Sequence, residues 1–184
     1  MSRARKDMNE QENPDPELES VLREAGREMI EEAAEDERLT ELLRRRRLEM
    51  PDLALEWVHR GQRVRPEAGT QTFSGQVVFA GTDYVTIERV EDQVAVRLDR
   101  ATWTLEPDHG QGQEQTGAAT SLKARLSELA ATGETLRLVV AEGRALVGSV
   151  AVVAADQVEV RQDHLTVLVP FDLILAVITS RALR

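Results

Sequence analysis

The sequence predicts an α+β protein: an N-terminal charged α-helix, then two tandem five-stranded small β-barrels, each preceded by a short helix. Three observations carry this expectation. The strand-rich stretch from Gly133 to Ile178 has a diverged copy running from Gly61 to Leu105. At a shift of 73, Gly75 falls on Gly148, Val77 on Val150, Asp83 on Asp156, Val85 on Val158 and Ile87 on Val160. The same shift places Val94 on Val167, Val96 on Val169 and Asp99 on Asp172, while Gly61 meets Gly133 at 72. Self-similarity at a fixed period marks one structural unit used twice. Within each copy, short runs alternate apolar and polar residues, as in Tyr84-Val85-Thr86-Ile87, the pattern of strands with one buried face. Ahead of the first copy, apolar residues step by four, three and four, which is helical spacing.

Taken in order, residues 1–14 are polar, mixed in charge and aperiodic, and a disordered tail is expected there. Residues 15–50 read as the charged helix. Asp15 suits the N-cap and Pro16 the first turn, and Glu17 and Glu19 lie where the helix dipole favours negative charge. Leu18, Leu22, Ala25 and Met29 form one stripe. It lapses through Glu31, Glu32, Glu35 and Asp36 and returns at Leu39, Leu42 and Leu43. Arg44, Arg45, Arg46 and Arg47 supply the positive end, and Pro51 ends or kinks the helix.

Residues 51–106 form the first unit. A short helix over 52–60 is expected with Asp52 as N-cap and Gly61 just past its end. Strands follow at RVRP, FSGQVVFAG, YVTIERV, VAVRL and a short ATWTL. Gly75, inside the second of these, suggests the bend or bulge that a small barrel needs at its corner. Residues 107–120, PDHGQGQEQTGAAT, are the clearest linker. The second unit spans 121–184. Its leading helix carries Leu122, Leu126 and Leu129 along one side, with Ser121 or Thr120 as N-cap and Gly133 as terminator. Five more apolar strands complete it. Two units of this size are marginal alone, so they are expected to pack on each other or on a helix.

Composition narrows the function. The 184 residues contain no cysteine, which removes disulfides, thiolate metal sites and cysteine nucleophiles. No apolar run follows the basic start MSRARK and no uncharged stretch approaches 18 apolar residues. Neither a secretory signal nor a membrane span is expected, and a cytoplasmic setting is the default. The net charge of −10 weighs against a nucleic-acid binder, because phosphate neutralisation dominates that affinity. Residues 1–60 hold 17 acidic against 11 basic side chains, and the remainder 16 against 12.

Chemistry-bearing motifs are scarce. His59 ends a helix beside Arg60, His109 lies in the linker, and His164 follows Asp163 between two strands. None has metal-ligand spacing, and Asp83 and Glu88 show no sign of convergence. No nucleophile elbow or phosphate-binding loop occurs, since His109-Gly110-Gln111-Gly112 sits in a polar stretch. An enzyme, a metal site and a cofactor are not expected. Trp57 and Trp103 suit a lid helix and a closing strand. If either unit stacks on a base, Phe73, Phe79 and Tyr84 favour the first, since only Phe171 is aromatic in the second.

A short helix, then five bent strands with a glycine inside the second and an aspartate in the next turn, resembles the Sm-like (LSm) small barrel. Gly148 and Asp156 carry the likeness over about 122–178, and Gly75 and Asp83 over 53–105. Val169-Pro170 before the last apolar strand adds to it. Other SH3-like barrels share the rhythm, and the helix-plus-barrel arrangement resembles uncharacterised actinobacterial proteins. Sm-type RNA sites use an Asn after the turn aspartate and an Arg-Gly pair. Here Asp83 precedes Tyr84-Val85, Asp156 precedes Gln157-Val158, and Arg60-Gly61 lies before the first barrel's strands. The resemblance therefore implies a fold and no nucleotide site. The expected function is a non-enzymatic binding or scaffold module, meeting a protein partner or itself through its edge strands or through Leu18, Leu22, Ala25 and Met29. The alternative is a nucleic-acid-binding regulator with Arg44 to Arg47 on phosphates.

Overall fold

A computed structural model describes residues 16–112, 115 and 119–180, with the side chains at 16–23, 28, 45 and 142 outside the description. The expected tail over 1–14 also lies outside the described residues. The chain divides into two compact units between Leu48 and Glu49.

The first unit holds one long helix, α1 (Pro16–Arg45). It stops two residues short of the expected positive end. Arg46 and Arg47 form a turn, closed by hydrogen bonds from Arg46 N–H to Leu42 O and from Arg47 N–H to Arg44 O.

The second unit opens with α2 (Met50–Arg60). The sequence places its N-cap at Asp52; the structure places it at Glu49, with Asp52 one turn in, accepting from the Glu49 N–H at 3.4 Å. Pro51 thus starts this helix, because its missing N–H falls among donors that have no helical partner anyway. Gly61 ends it at φ 62°, donating to Val58 O, as the sequence predicts. The strands of the first copy are β1 (Gln62–Ala68), a two-residue β2 (Gln71–Thr72), β3 (Gly75–Ala80), β4 (Tyr84–Glu88), β5 (Asp92–Arg97) and β6 (Thr102–His109). Helix α3 (Leu122–Thr132) leads the second copy. Ser121 Oγ caps it by accepting from Ala124 N–H, and Gly133 at φ 68° terminates it. Then come β7 (Thr135–Val140), β8 (Ala145–Val153), β9 (Gln157–Gln162), β10 (Leu165–Pro170) and β11 (Ile174–Ser180).

The repeat is written into the strand registers. Val77 pairs Ile87 and Phe79 pairs Thr86 between β3 and β4, with a bulge between. Val150 pairs Val160 and Val152 pairs Glu159 between β8 and β9, with the bulge at the same place, 73 residues on. Gly81 N–H donates to Tyr84 O in one hairpin and Ala154 N–H to Gln157 O in the other. Gly75 and Gly148 are required by close approach: a Cβ at either would strike the backbone oxygen of Glu88 or of Arg161, again 73 apart.

All eleven strands belong to one antiparallel sheet, ordered β10-β9-β8-β7-β11-β5-β4-β3-β1-β2 with β6 on β1. The sheet does not close on itself. What is shown is an α+β chain with an N-terminal helix and one large open sheet, which runs through both of the five-stranded units the sequence predicts. The joint lies in the middle of the order. Strand β11, last of the second copy, pairs with its own β7 on one side and with β5 of the first copy on the other.

The two cores interlock across that seam. One cluster joins Trp57, Val58, Val64, Val94 and Val96 of the first copy to Val139, Leu175, Ala176 and Ile178 of the second. The other joins Leu122, Leu126, Leu138 and Val177 to Phe79, Tyr84 and Ala95 of the first copy. Fully burying side chains of this size is worth about 1.5–3 kcal/mol each, so neither copy keeps its full stabilisation alone. The expectation that the copies pack on each other holds.

Candidate interaction surfaces

Of the predicted stripe on α1, Ala25 and Met29 are exposed, Met29 at 71%, and the side chains of Leu18 and Leu22 fall outside the description. The stripe's return is exposed too: Leu39 53%, Leu42 57% and Leu43 55%, with Ile30 beside it at 71%. In the arginine cluster, Arg44 Nε donates to Glu41 Oε2 at 3.0 Å, Arg46 and Arg47 are exposed in the turn, and Arg45 closes the helix. Arg44 and Arg45 thus lie in the helix, and Arg46 and Arg47 in the turn after it.

The aromatic residues that pointed to the first copy are interior. Phe73, Phe79, Tyr84 and Trp57 are each less than a tenth exposed. Trp57 stacks on Trp103 with ring centroids 5.3 Å apart, and Trp103 Nε1 donates to Leu98 O. Tyr84 donates its hydroxyl to Ala119 O at 2.8 Å, and burial pushes its phenol up to about 12. No ring among these four offers a free stacking face. Phe171, in the second copy, is half-buried with Lys123 Nζ 5.5 Å from its ring centre.

His59, His109 and His164 are exposed and lie at the end of α2, the end of β6 and the β9–β10 turn. Among the described residues, no group of three or more histidines and carboxylates is placed to hold a metal. Asp83, a candidate carboxylate, accepts from Leu122 N–H at 2.8 Å and so holds the start of α3.

Sequence reasoning missed three structural groups. Glu106 on β6 accepts from Ser74 Oγ at 2.8 Å, Arg65 Nη2 at 3.2 Å and Arg63 Nε at 3.3 Å. The Ser74 bond and the two guanidinium groups hold its carboxyl below the usual range. Arg97 grips Asp99 through two nitrogens and reaches across the seam to Phe171 O at 2.9 Å. Gln115, in the expected linker, uses both ends of its amide on Ala80 N–H and Ala80 O, as a strand neighbour would. Together with Gln76 bonding Gln111 O and Gly110 N–H bonding Gly61 O, this ties the described part of the linker to the first copy. Only an offset of 73 between interacting pairs signals such contacts in advance, and these have none.

Three described strands have a single neighbour. β10 pairs with β9 alone, and β6 and the two-residue β2 each pair with β1 alone. On them Leu165, Leu168 and Leu105 are exposed at 69%, 56% and 51%. No described helix is long and apolar enough to cross a membrane. No protein-family model matches this chain, and no curated protein is significantly similar to it.

Proposed function

We propose that the chain is a non-enzymatic binding or scaffold protein, built on two tandem Sm/SH3-like small barrels, that meets protein partners through α1 and its sheet edges. The observation that carries this reading is the exposed apolar series Met29, Ile30, Leu39, Leu42 and Leu43 on a helix forming its own compact unit. Large apolar side chains exposed together on one element mark an interaction face. The barrel reading is supported by strand order. Each copy runs fifth, first, second, third, fourth, as β6-β1-β3-β4-β5 and β11-β7-β8-β9-β10. The cysteine-free composition suits a reducing cytoplasm.

The nucleic-acid reading keeps exposed Arg46 and Arg47 in its favour, but the buried aromatic rings of the first copy remove its base platform. The full chain and a Met29→Glu/Leu39→Glu/Leu43→Glu variant separate the two in protein capture, run beside anisotropy with short single-stranded RNA and DNA at low and moderate salt. Partners captured by the parent and lost from the variant, with flat anisotropy, are expected. Nucleic-acid binding that falls steeply with salt and vanishes when Arg44 to Arg47 become alanine would replace this reading with the regulator. Equal capture by parent and variant would remove α1 from it.

A further inference from the structure

Helix α1 runs for 30 residues as part of its own compact unit, and none of its described side chains is buried. A helix in water draws most of its stability from packing an apolar face, not from propensity. On α1 that face has a regular period. Ala25, Met29, Leu39 and Leu43 fall on it, continuing the sequence stripe from Leu18 and Leu22, and Glu32 and Asp36 occupy the two positions between Met29 and Leu39. From Ala25 to Leu43 the steps are four, three, four, three and four, the spacing of a helix–helix seam.

Charge points to what covers that seam. Residues 16–37 hold nine acidic side chains against two basic, and residues 38–47 hold five basic against one acidic. The helix is therefore a rod with opposite charges on its two parts. A second copy laid antiparallel sets each acidic part against a basic end, twice over, and aligns the two helix dipoles favourably. A copy laid parallel sets like charges against each other along the whole length. Glu32 and Asp36 fall close to their counterparts near the middle in either orientation, so they lower the affinity without choosing the direction.

We propose that the partner of α1 is a second copy of α1, two chains joining through antiparallel contact of their helix seams. Met29, Leu39 and Leu43 supply its apolar contacts, and residues 38–47 of each chain lie against the acidic part of the other. The proposal rests on the reading of α1 as an interaction face and names what that face meets. The contact is isologous, the same surface on both chains, so it closes at two and leaves no seam for a third. Two carboxylates within the seam make the pair reversible.

Sedimentation of the full chain over a micromolar to millimolar range tests this. The parent is expected to rise towards twice its single-chain mass of 20.5 kDa and to stop there. The Met29→Glu/Leu39→Glu/Leu43→Glu variant is expected to stay at one chain. So is a variant with Arg44, Arg45, Arg46 and Arg47 all changed to glutamate, whereas changing the same four to lysine should leave pairing intact. The cysteine-free chain lets orientation be read from one spin label at a time, at Ala34→Cys or at Glu41→Cys. With the two 30-residue helices centred on each other, at about 1.5 Å per residue, labels at 34 lie about 10 Å apart along the axis and labels at 41 about 32 Å. A parallel pair gives no axial offset at either site, and short distances at both would overturn the proposal. A parent that stays at one chain throughout also overturns it, yet leaves α1 as a face for another protein if capture of that protein is still lost in the triple variant. A pair that survives the triple variant overturns the proposal by placing the contact elsewhere than the α1 seam.

Discussion

Substituting Gly75 and Gly148 by alanine, singly, tests the repeat and the shared core together. A Cβ on Gly75 would lie 2.5 Å from Ile87 Cγ2 and closer still to Glu88 O; one on Gly148 would lie 2.9 Å from Val160 Cγ1 and strike Arg161 O. Neither glycine has a positive φ, so the cost is steric and not conformational. A backbone oxygen inside a hairpin cannot turn aside, and the third strand of the copy has to move. Overpacking of this kind costs about 1–3 kcal/mol. At about 4 °C per kcal/mol for a unit of this length, melting falls by roughly 4–12 °C. Because each cluster draws residues from both copies, either substitution should shift one cooperative transition, followed by circular dichroism in urea and on heating. A change within about 0.5 kcal/mol at both sites would refute the close-approach argument. Two separate transitions, one moved by each variant, would refute the shared core.

Two further expectations rest on single contacts. Asp83→Ala removes the acceptor for Leu122 N–H and should cost about 1 kcal/mol, a typical cap, whereas Asp156→Ala at the exposed equivalent should fall within about 0.5 kcal/mol; equal urea midpoints for the two would contradict this. Tyr84 titrates at about 12 in the folded chain against 10.0 for a free phenol, so the unfolded chain loses its proton first. Stability is then intact below pH 10 and declines as pH rises from there towards about 12. Tyr84→Phe should lose about 1 kcal/mol at neutral pH, with Ala119 O left without its donor, and should flatten that decline; an unchanged alkaline slope would show that other groups set it.

What could be read in the sequence was periodic, and what could not was singular. The helices at α2 and α3, their glycine terminators and the five expected strands of each copy announce themselves through alternation, spacing and the shift of 73; the two-residue β2 does not. The N-cap of α2 did not, because Asp52 and Glu49 are both acidic residues beside Pro51, and only the backbone decides which one lies outside the helix. Strand β6 runs four residues past Leu105, because Gln62 of β1 pairs with His109 beyond a bulge, through a polar stretch that carries no strand pattern. The seam was illegible for a deeper reason. Alternation specifies that Val94 and Val96 are buried, but not whether their own copy or the neighbouring one covers them.

The seam also accounts for the uneven aromatic content that had suggested a ligand platform in the first copy. Phe79 and Tyr84 have Val152 and Gln157 as equivalents. The two rings are 5.6 Å apart and sit in the cluster with Leu122, Leu126 and Val177 of the second copy. Helix α3, pinned by Asp83 and facing the Tyr84 hydroxyl bond to Ala119, lies over the side of the first copy where the rings are needed to fill space. The second copy has no third copy to cover it within the chain, and at the same positions it carries a smaller aliphatic residue and an amide. Aromatic scarcity with local concentration is thus the imprint of one copy docking on the other, not of a ligand.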